Sequence, residues 1–207
     1  MTQRILAEQI ATVATSHTTV PPDVRAMLHR VTLDAFGLML AARQTNYIEA
    51  LKASCLDQGA ATAFGHGSGF TVQDATLING TAVHGEDFDD TFEGTPVHVS
   101  SVIVPTMLAI AERENISRDR LINAMAQGSE LICRLALVAP TAIHRQGFHP
   151  TAILGAFGAS LTASIAYQLT PQQTASALGI VGSMASGIIE YLAEGTWTKR
   201  MHPGWAA

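Results

Sequence analysis

The stretch TAILGAFGASLTASIAYQL, Thr151 to Leu169, constrains the fold of this chain more than any other. It is apolar almost throughout, rich in Gly, Ala and Ser, and lacks the apolar–polar alternation of a half-exposed strand. A helix that is apolar on all sides is a buried helix. Small side chains let neighbouring backbones come close, so this segment is expected to be a central helix with other helices on most of its sides.

The rest of the chain supplies those neighbours. Ile5, Ile10 and Val13 fall near one stripe of an N-terminal helix. TVPPDVRAMLHRVTLDAFGLMLAAR has prolines at a helix start and then Val24, Met27/Leu28, Val31 and Leu38 at helical spacing. Tyr47 to Leu56 reads as a shorter helix, and ATAFGHGSGF as an extended segment and turn. Thr71 and Ser117 are expected N-caps, and Pro105 lies near the start of a further helix or kinks it. After Ser117 the apolar positions are Leu121/Ile122, Met125, Ile132, Leu135 and Val138. Thr170 and Gln173 form a capping box with Pro171 at the first helical position. No interdomain linker is visible. The expectation is an all-α helical bundle spanning residues 1–207.

With 47% hydrophobic and 14% charged residues and a net charge of −5, the chain has no Lys/Arg run or basic helix face to meet nucleic acid. The N-terminal MTQRILAEQIATVAT lacks a leader's apolar core, and no uninterrupted apolar run reaches membrane-span length. A cytoplasmic protein is therefore expected. Cys55 and Cys133 are expected to be buried free thiols, and two cysteines are too few for the usual ligation of an iron–sulfur cluster. The final EGTWTKRMHPGWAA has no polar fray, so the chain is expected to be the N-terminal part of something longer.

Against this sparse charge, His84 to His98 (HGEDFDDTFEGTPVH) gathers five carboxylates and two histidines. Three chemistries match it. Asp87, Asp89 and Thr91 fit a D-x-D-x-T phosphotransfer motif, which requires a buried strand ahead of it. Asp89, Asp90 and Glu93 fit a magnesium–diphosphate motif, without a second acidic motif or a basic cluster. The third is a metal-free acid–base site. If the helix continues, His84, Asp87 and Thr91 share a face while Glu86 and Asp89 turn elsewhere, and His98 joins them from the loop. Further along, His149 stands at the start of the small-residue helix, where backbone N–H groups favour an anion, with His144 and Arg145 just before it. Lys199, Arg200 and His202 form a basic island among aromatic residues.

Taken in order, NGTAVHGEDFDDT, H-x-S-S-x-x-x-P, GFHPT followed by GAFGAS, and TKRMHPGWAA resemble the MmgE/PrpD family from about Thr18 onward. The family includes 2-methylcitrate dehydratase, cis-aconitate decarboxylase and iminodisuccinate epimerase. The resemblance implies a large helical domain, a smaller α/β lid domain absent from this chain, a homodimer, and no cofactor or metal. It implies catalytic roles for Asp87, His98 and His149, and substrate binding by Thr91, Lys199 and His202. The implied activity is that of a metal-independent lyase acting on a small polycarboxylate by proton abstraction next to a carboxylate. The leading reading is a 2-methylcitrate dehydratase of propionate catabolism, with decarboxylation or epimerisation as alternatives. An inactive helical portion, or a subunit needing a partner chain, is the non-enzyme alternative. Lys199 would stabilise the enolate, Asp87 would orient a ring, and His98 or His149 would move the proton.

Overall fold

The computed structural model describes residues 5–207, the side chain of residue 68 excepted. The first four residues of the N-terminal stretch inspected for a leader lie outside the described residues. Eleven helices and one small hairpin follow in order among the described residues: α1 Leu6–Ser16, α2 Pro22–Ala42, α3 Asn46–Ser54, β1 Ala61–Thr62, β2 Ser68–Phe70, α4 Val72–His84, α5 Ser100–Arg113, α6 Arg118–Val138, α7 Ala142–Arg145, α8 Pro150–Ala166, α9 Pro171–Met184, α10 Tyr191–Glu194 and α11 Thr198–Ala206. The hairpin pairs Ala61 with Phe70 and Thr62 with residue 68, antiparallel, with an irregularity between the two.

The expected central helix is α8. It packs against α5, α6, α9 and α11, and most of its residues are buried. Glycine makes the closest of these approaches possible. A Cβ on Gly128 of α6 would collide with the Thr162 hydroxyl and stand 2.8 Å from the carbonyl oxygen of Gly158, both on α8, so only glycine fits at this approach. A Cβ on Gly80 of α4 would lie 2.7 Å from the backbone nitrogen of Gly204 on α11. That second contact seats α11 on α4 and fixes where the residues of α11 point. Around these seams Ile103, Ile132, Ile78 and Leu161 are fully buried, each contributing roughly 1.5–3 kcal/mol of transfer free energy.

Local chemistry sets the helix starts as the residue types imply. Thr71 accepts from the backbone of Asp74, Ser117 from that of Arg120, and Thr170 with Gln173 closes a capping box. Pro105 lies inside α5. Cys55 and Cys133 are free thiols, half-buried rather than buried, and burial pushes the Cys133 thiol up to about 11.

The structure corrects several helix details. α1 turns Ala11 and Ala14 inward and leaves Ile5 and Val13 exposed. α2 buries Leu28, Ala35, Met39 and Ala42, while Val24 and Met27 face outward. On α1 alanines form the packed face, and on α2 Ala35 and Ala42 share it with Leu28 and Met39. α6 is long and apolar enough to cross a membrane by length and composition alone, although no uninterrupted run suggested it. Its inward face is Ile122, Ala124, Met125, Gly128, Leu131 and Ile132 against α8, and its outward face carries the Glu130–Arg134 ion pair. The terminal basic island is α11, a helix, with Pro203 inside it and His202, Pro203 and Gly204 buried.

Candidate active site

The acidic segment is not a helix face. α4 ends at His84, and Gly85, still helical in backbone, is pressed against the Tyr47 ring with no room for a side chain. The chain then turns at Asp87, whose φ of 59° is left-handed, a region that Asp tolerates better than most residues. The predicted alignment of His84, Asp87 and Thr91 along one helix therefore fails. The carboxylate expected to turn away, Asp89, is instead buried at the centre. Its neighbour Asp90 accepts from the backbone N–H of Ser100 at 2.9 Å, capping α5, and burial pushes its carboxyl up.

Three further segments converge on the end of α4. His98 is held through its backbone N–H, which donates to the buried Thr151 hydroxyl in the first turn of α8 at 3.1 Å. His149 is the N-cap residue of α8, and its N–H donates to the Gly187 carbonyl at 2.9 Å. α11 supplies Lys199 and His202, three residues apart and so on one face. Between them Arg200 locks the helix in place. Its Nε donates to the Gly85 carbonyl at 2.6 Å, and its guanidinium lies 4.7 Å from the centre of the Tyr47 ring, whose hydroxyl donates to Glu86 at 3.0 Å.

The result is a cluster of four imidazoles. His84 meets His98 edge-on at 4.7 Å between ring centres and stacks on His149 at 5.4 Å. His149 and His202 approach through Nδ1 atoms 3.1 Å apart, so one nitrogen donates and the other accepts. Tyr191 stands edge-on to both, at 5.8 Å from each ring. Asp89 Oδ2 lies 2.9 Å from His84 Nδ1, and Oδ1 lies 3.2 Å from His98 Nδ1 in an ion-pair contact off the hydrogen-bond axis. Thr91 Oγ1 is 3.5 Å from the same His98 nitrogen. Asp87 pairs with Lys199, and its Oδ1 lies 4.0 Å from the Nε2 atoms of both His84 and His98.

These contacts divide the rings electrostatically. Burial alone would push His98 down, but the Asp89 carboxylate outweighs it and raises the imidazole above its usual range. Burial pushes His84 down despite the same carboxylate. Among the described residues His149 has no carboxylate partner; burial, reinforced by His84, His202 and Lys199, lowers it to about 2. Burial and His84 lower His202 too. Burial would raise Asp89, yet the imidazoles of His84 and His98 together hold it well below the ordinary carboxylate range. Burial and Asp87 push the Tyr191 hydroxyl up to about 12.

All six residues singled out in the sequence (Asp87, Thr91, His98, His149, Lys199 and His202) lie in or at the edge of this cluster. His144 and Arg145 do not join it; they sit on α7, with Arg145 exposed. His84 belongs to it as a buried ring. Tyr191 carried no local signal, and Asp89 stood out only in the phosphotransfer and magnesium motifs, because the burial of both depends on packing between segments distant in sequence. By type and spacing, His84, Asp87, Asp89 and His98 could hold a cation, one ligand atom from each lying within 4.8 Å of the others. In this arrangement both Asp89 oxygens face imidazole nitrogens, and Asp87 pairs with the Lys199 ammonium. A separate groove of about 670 Å³, bordered by α4, α5, α8 and α11, contains none of these groups.

Fold and site together define an all-helical protein with a buried acid–base constellation and an ammonium at its edge. The profile of the MmgE/PrpD N-terminal domain matches residues 4–207, and the chain belongs to the MmgE/PrpD family. It is 26% identical over 200 residues to a cis-aconitate decarboxylase-like protein of Aspergillus oryzae, covering 91% of this chain and 41% of that protein. It is 33% identical over 138 residues to human cis-aconitate decarboxylase, covering 64% of this chain and 28% of that enzyme. It is 27% identical over 155 residues to cis-aconitate decarboxylase of Aspergillus terreus, covering 72% and 31%. The chain thus spans less than half the length of these relatives. Decarboxylases are lyases, and the family is of lyase type.

Proposed function

We propose that this site forms or quenches a carbanion next to a carboxylate of a small polycarboxylic acid, without a metal ion. The observation that carries the reading is the pairing of opposites in one cluster: His98, held by a carboxylate, and His149, held by another imidazole. The first is disposed to carry a proton and the second to be neutral, a division suited to an acid and a base. A substrate carboxylate would take the place of Asp87 on Lys199, and the ammonium would then stabilise the developing enolate, helped by the Thr91 hydroxyl. The negative charge of the bound acid would raise the proton affinity of the neighbouring rings.

Two reactions suit this arrangement. Dehydration of a 2-methylcitrate-type acid needs a base to take the C–H proton while an acid protonates the departing hydroxyl. Decarboxylation breaks the bond to CO2, leaves the electron pair on carbon, and needs only a proton donor, for which His98 is placed. The likeness to cis-aconitate decarboxylases favours decarboxylation; epimerisation would use the same proton transfer without a leaving group. The proposal extends to residues 1–207 acting as one helical domain, to a homodimer and to a cytoplasmic protein, each supported by the family resemblance.

The test is deuterium incorporation from D2O, together with CO2 release, across a panel of tricarboxylic and dicarboxylic acids. It is run on this chain alone and on a form extended to the length of its relatives, with and without EDTA. Exchange that survives EDTA is expected. Exchange lost to the chelator and restored by magnesium would overturn the metal-free reading, and no exchange in either form would overturn the reaction class.

A further inference from the structure

Two imidazoles of the cluster share a single carboxylate. Asp89 has a fully buried side chain, as does His84, and each Asp89 oxygen faces a different Nδ1: Oδ2 that of His84 at 2.9 Å, Oδ1 that of His98 at 3.2 Å. An ionised carboxylate only accepts hydrogen bonds. The His84 Nδ1, hydrogen-bonded to Oδ2, must therefore carry hydrogen; the His98 Nδ1 faces the buried Oδ1 without a hydrogen bond to it, a negative neighbour that favours hydrogen on the same atom, and in neutral rings of that form both Nε2 atoms are left as bare acceptors. Those two Nε2 atoms each stand 4.0 Å from the same oxygen, Oδ1 of Asp87, which is paired with Lys199. The His84 Nε2 is buried and has no hydrogen-bond partner. A buried acceptor without a partner is costly, and here it is aimed at the place where a proton or a donor group of a ligand would arrive.

We propose that Asp89 is a positioning residue that fixes His84 and His98 together in the Nδ1–H form, so that both rings present Nε2 toward Asp87 and Lys199. The assignment rests on the proposed reaction only for its consequence in turnover; the tautomers themselves are a property of the unliganded chain. It moves the ring-orienting role from Asp87, to which the sequence assigned it, to a residue the sequence pointed away from. It also gives His84 a function: a second imidazole acceptor beside the ammonium, held by the same carboxylate that holds the first.

The distinguishing variant is Asp89→Asn. An amide of the same shape offers one accepting oxygen and one donating nitrogen, so it can serve only one Nδ1–H. The other ring then faces the donating amide nitrogen and must switch to the Nε2–H form, which turns a bare Nδ1 toward that donor. Long-range 1H–15N correlation on the 15N-histidine-labelled chain reads the tautomer of each ring directly. The wild-type chain is expected to show Nδ1 protonated in both His84 and His98, and D89N to show one of the two switched. A wild-type spectrum with Nε2–H and bare Nδ1 in either ring would overturn the proposal whether or not the variant folds, as would a folded D89N with both tautomers unchanged. In a form that turns over, D89N should lower kcat by about 10²-fold or more with KM little changed, as for loss of correctly presented acid–base groups; a rise in KM alone would contradict the role. The ring spectra need no substrate, so an error in the reaction assignment would leave them unaffected.

Discussion

Acidification should destabilise the native chain through His149 by an amount that can be worked out. The ring is 3% exposed, lies against His84 and His202, and is lowered to about 2 from an ordinary value of 6.5. The folded value lies below the unfolded one, so as the pH falls the unfolded chain takes up the proton first. The contribution of His149 to stability is complete above pH 6.5 and declines as the pH drops from there toward the folded value. Linkage across pH 7 to 5 gives a loss of about 2 kcal/mol from this one ring. His98 works in the opposite sense: its raised value makes its contribution complete below 6.5 and lost as the pH rises through the folded value. The clean measurement is therefore a double difference. Denaturant unfolding of wild type and His149→Gln at pH 7 and pH 5 should show the wild type losing about 2 kcal/mol more than the variant over that interval. Equal losses in the two proteins, within about 0.5 kcal/mol, would refute the burial of a neutral imidazole at this position.

Two other perturbations probe the same cluster. His98→Ala and His149→Ala should each lower turnover by about 10²-fold or more, measured as initial rates in an active form; near-wild-type rates in both would remove them from the chemistry. Gly187→Ala places a side chain on backbone with φ of 124°, its Cβ 2.8 Å from that of Ala152 and 3.3 Å from His202 Nδ1. It should cost about 1–3 kcal/mol, read as a lower denaturant midpoint.

The bundle was largely legible in the sequence because its signals are local. The composition of Thr151–Leu169 announced a buried helix, and Thr71, Ser117 and Thr170 announced starts that the backbone uses. Helix faces were less legible where alanines form the packed surface, as Ala11 and Ala14 do on α1, since large apolar residues dominate any reading by periodicity. The helical form of α11 was not foreseen in the terminal basic island, since Pro203 and Gly204 are poor helix formers; here Gly204 lets the helix sit against α4. In the site, the family resemblance rather than spacing brought His98, His149 and Lys199 together. The chain reversal after Gly85 was not foreseen, so the periodic reading extended α4 by two turns too many and sent Asp89 outward. Its burial arises from the meeting of α4, α5 and α8, which no local pattern encodes.

The central claim is that an ammonium, not a metal ion, holds the negative charge that develops beside these imidazoles. Turnover of Lys199→Met by an active form of the protein, in the presence of EDTA, tests it most directly. Loss of the ammonium should lower kcat by about 10²–10³-fold, the usual effect of removing one preorganised stabiliser of developing charge. A variant that turns over at the wild-type rate would contradict the account.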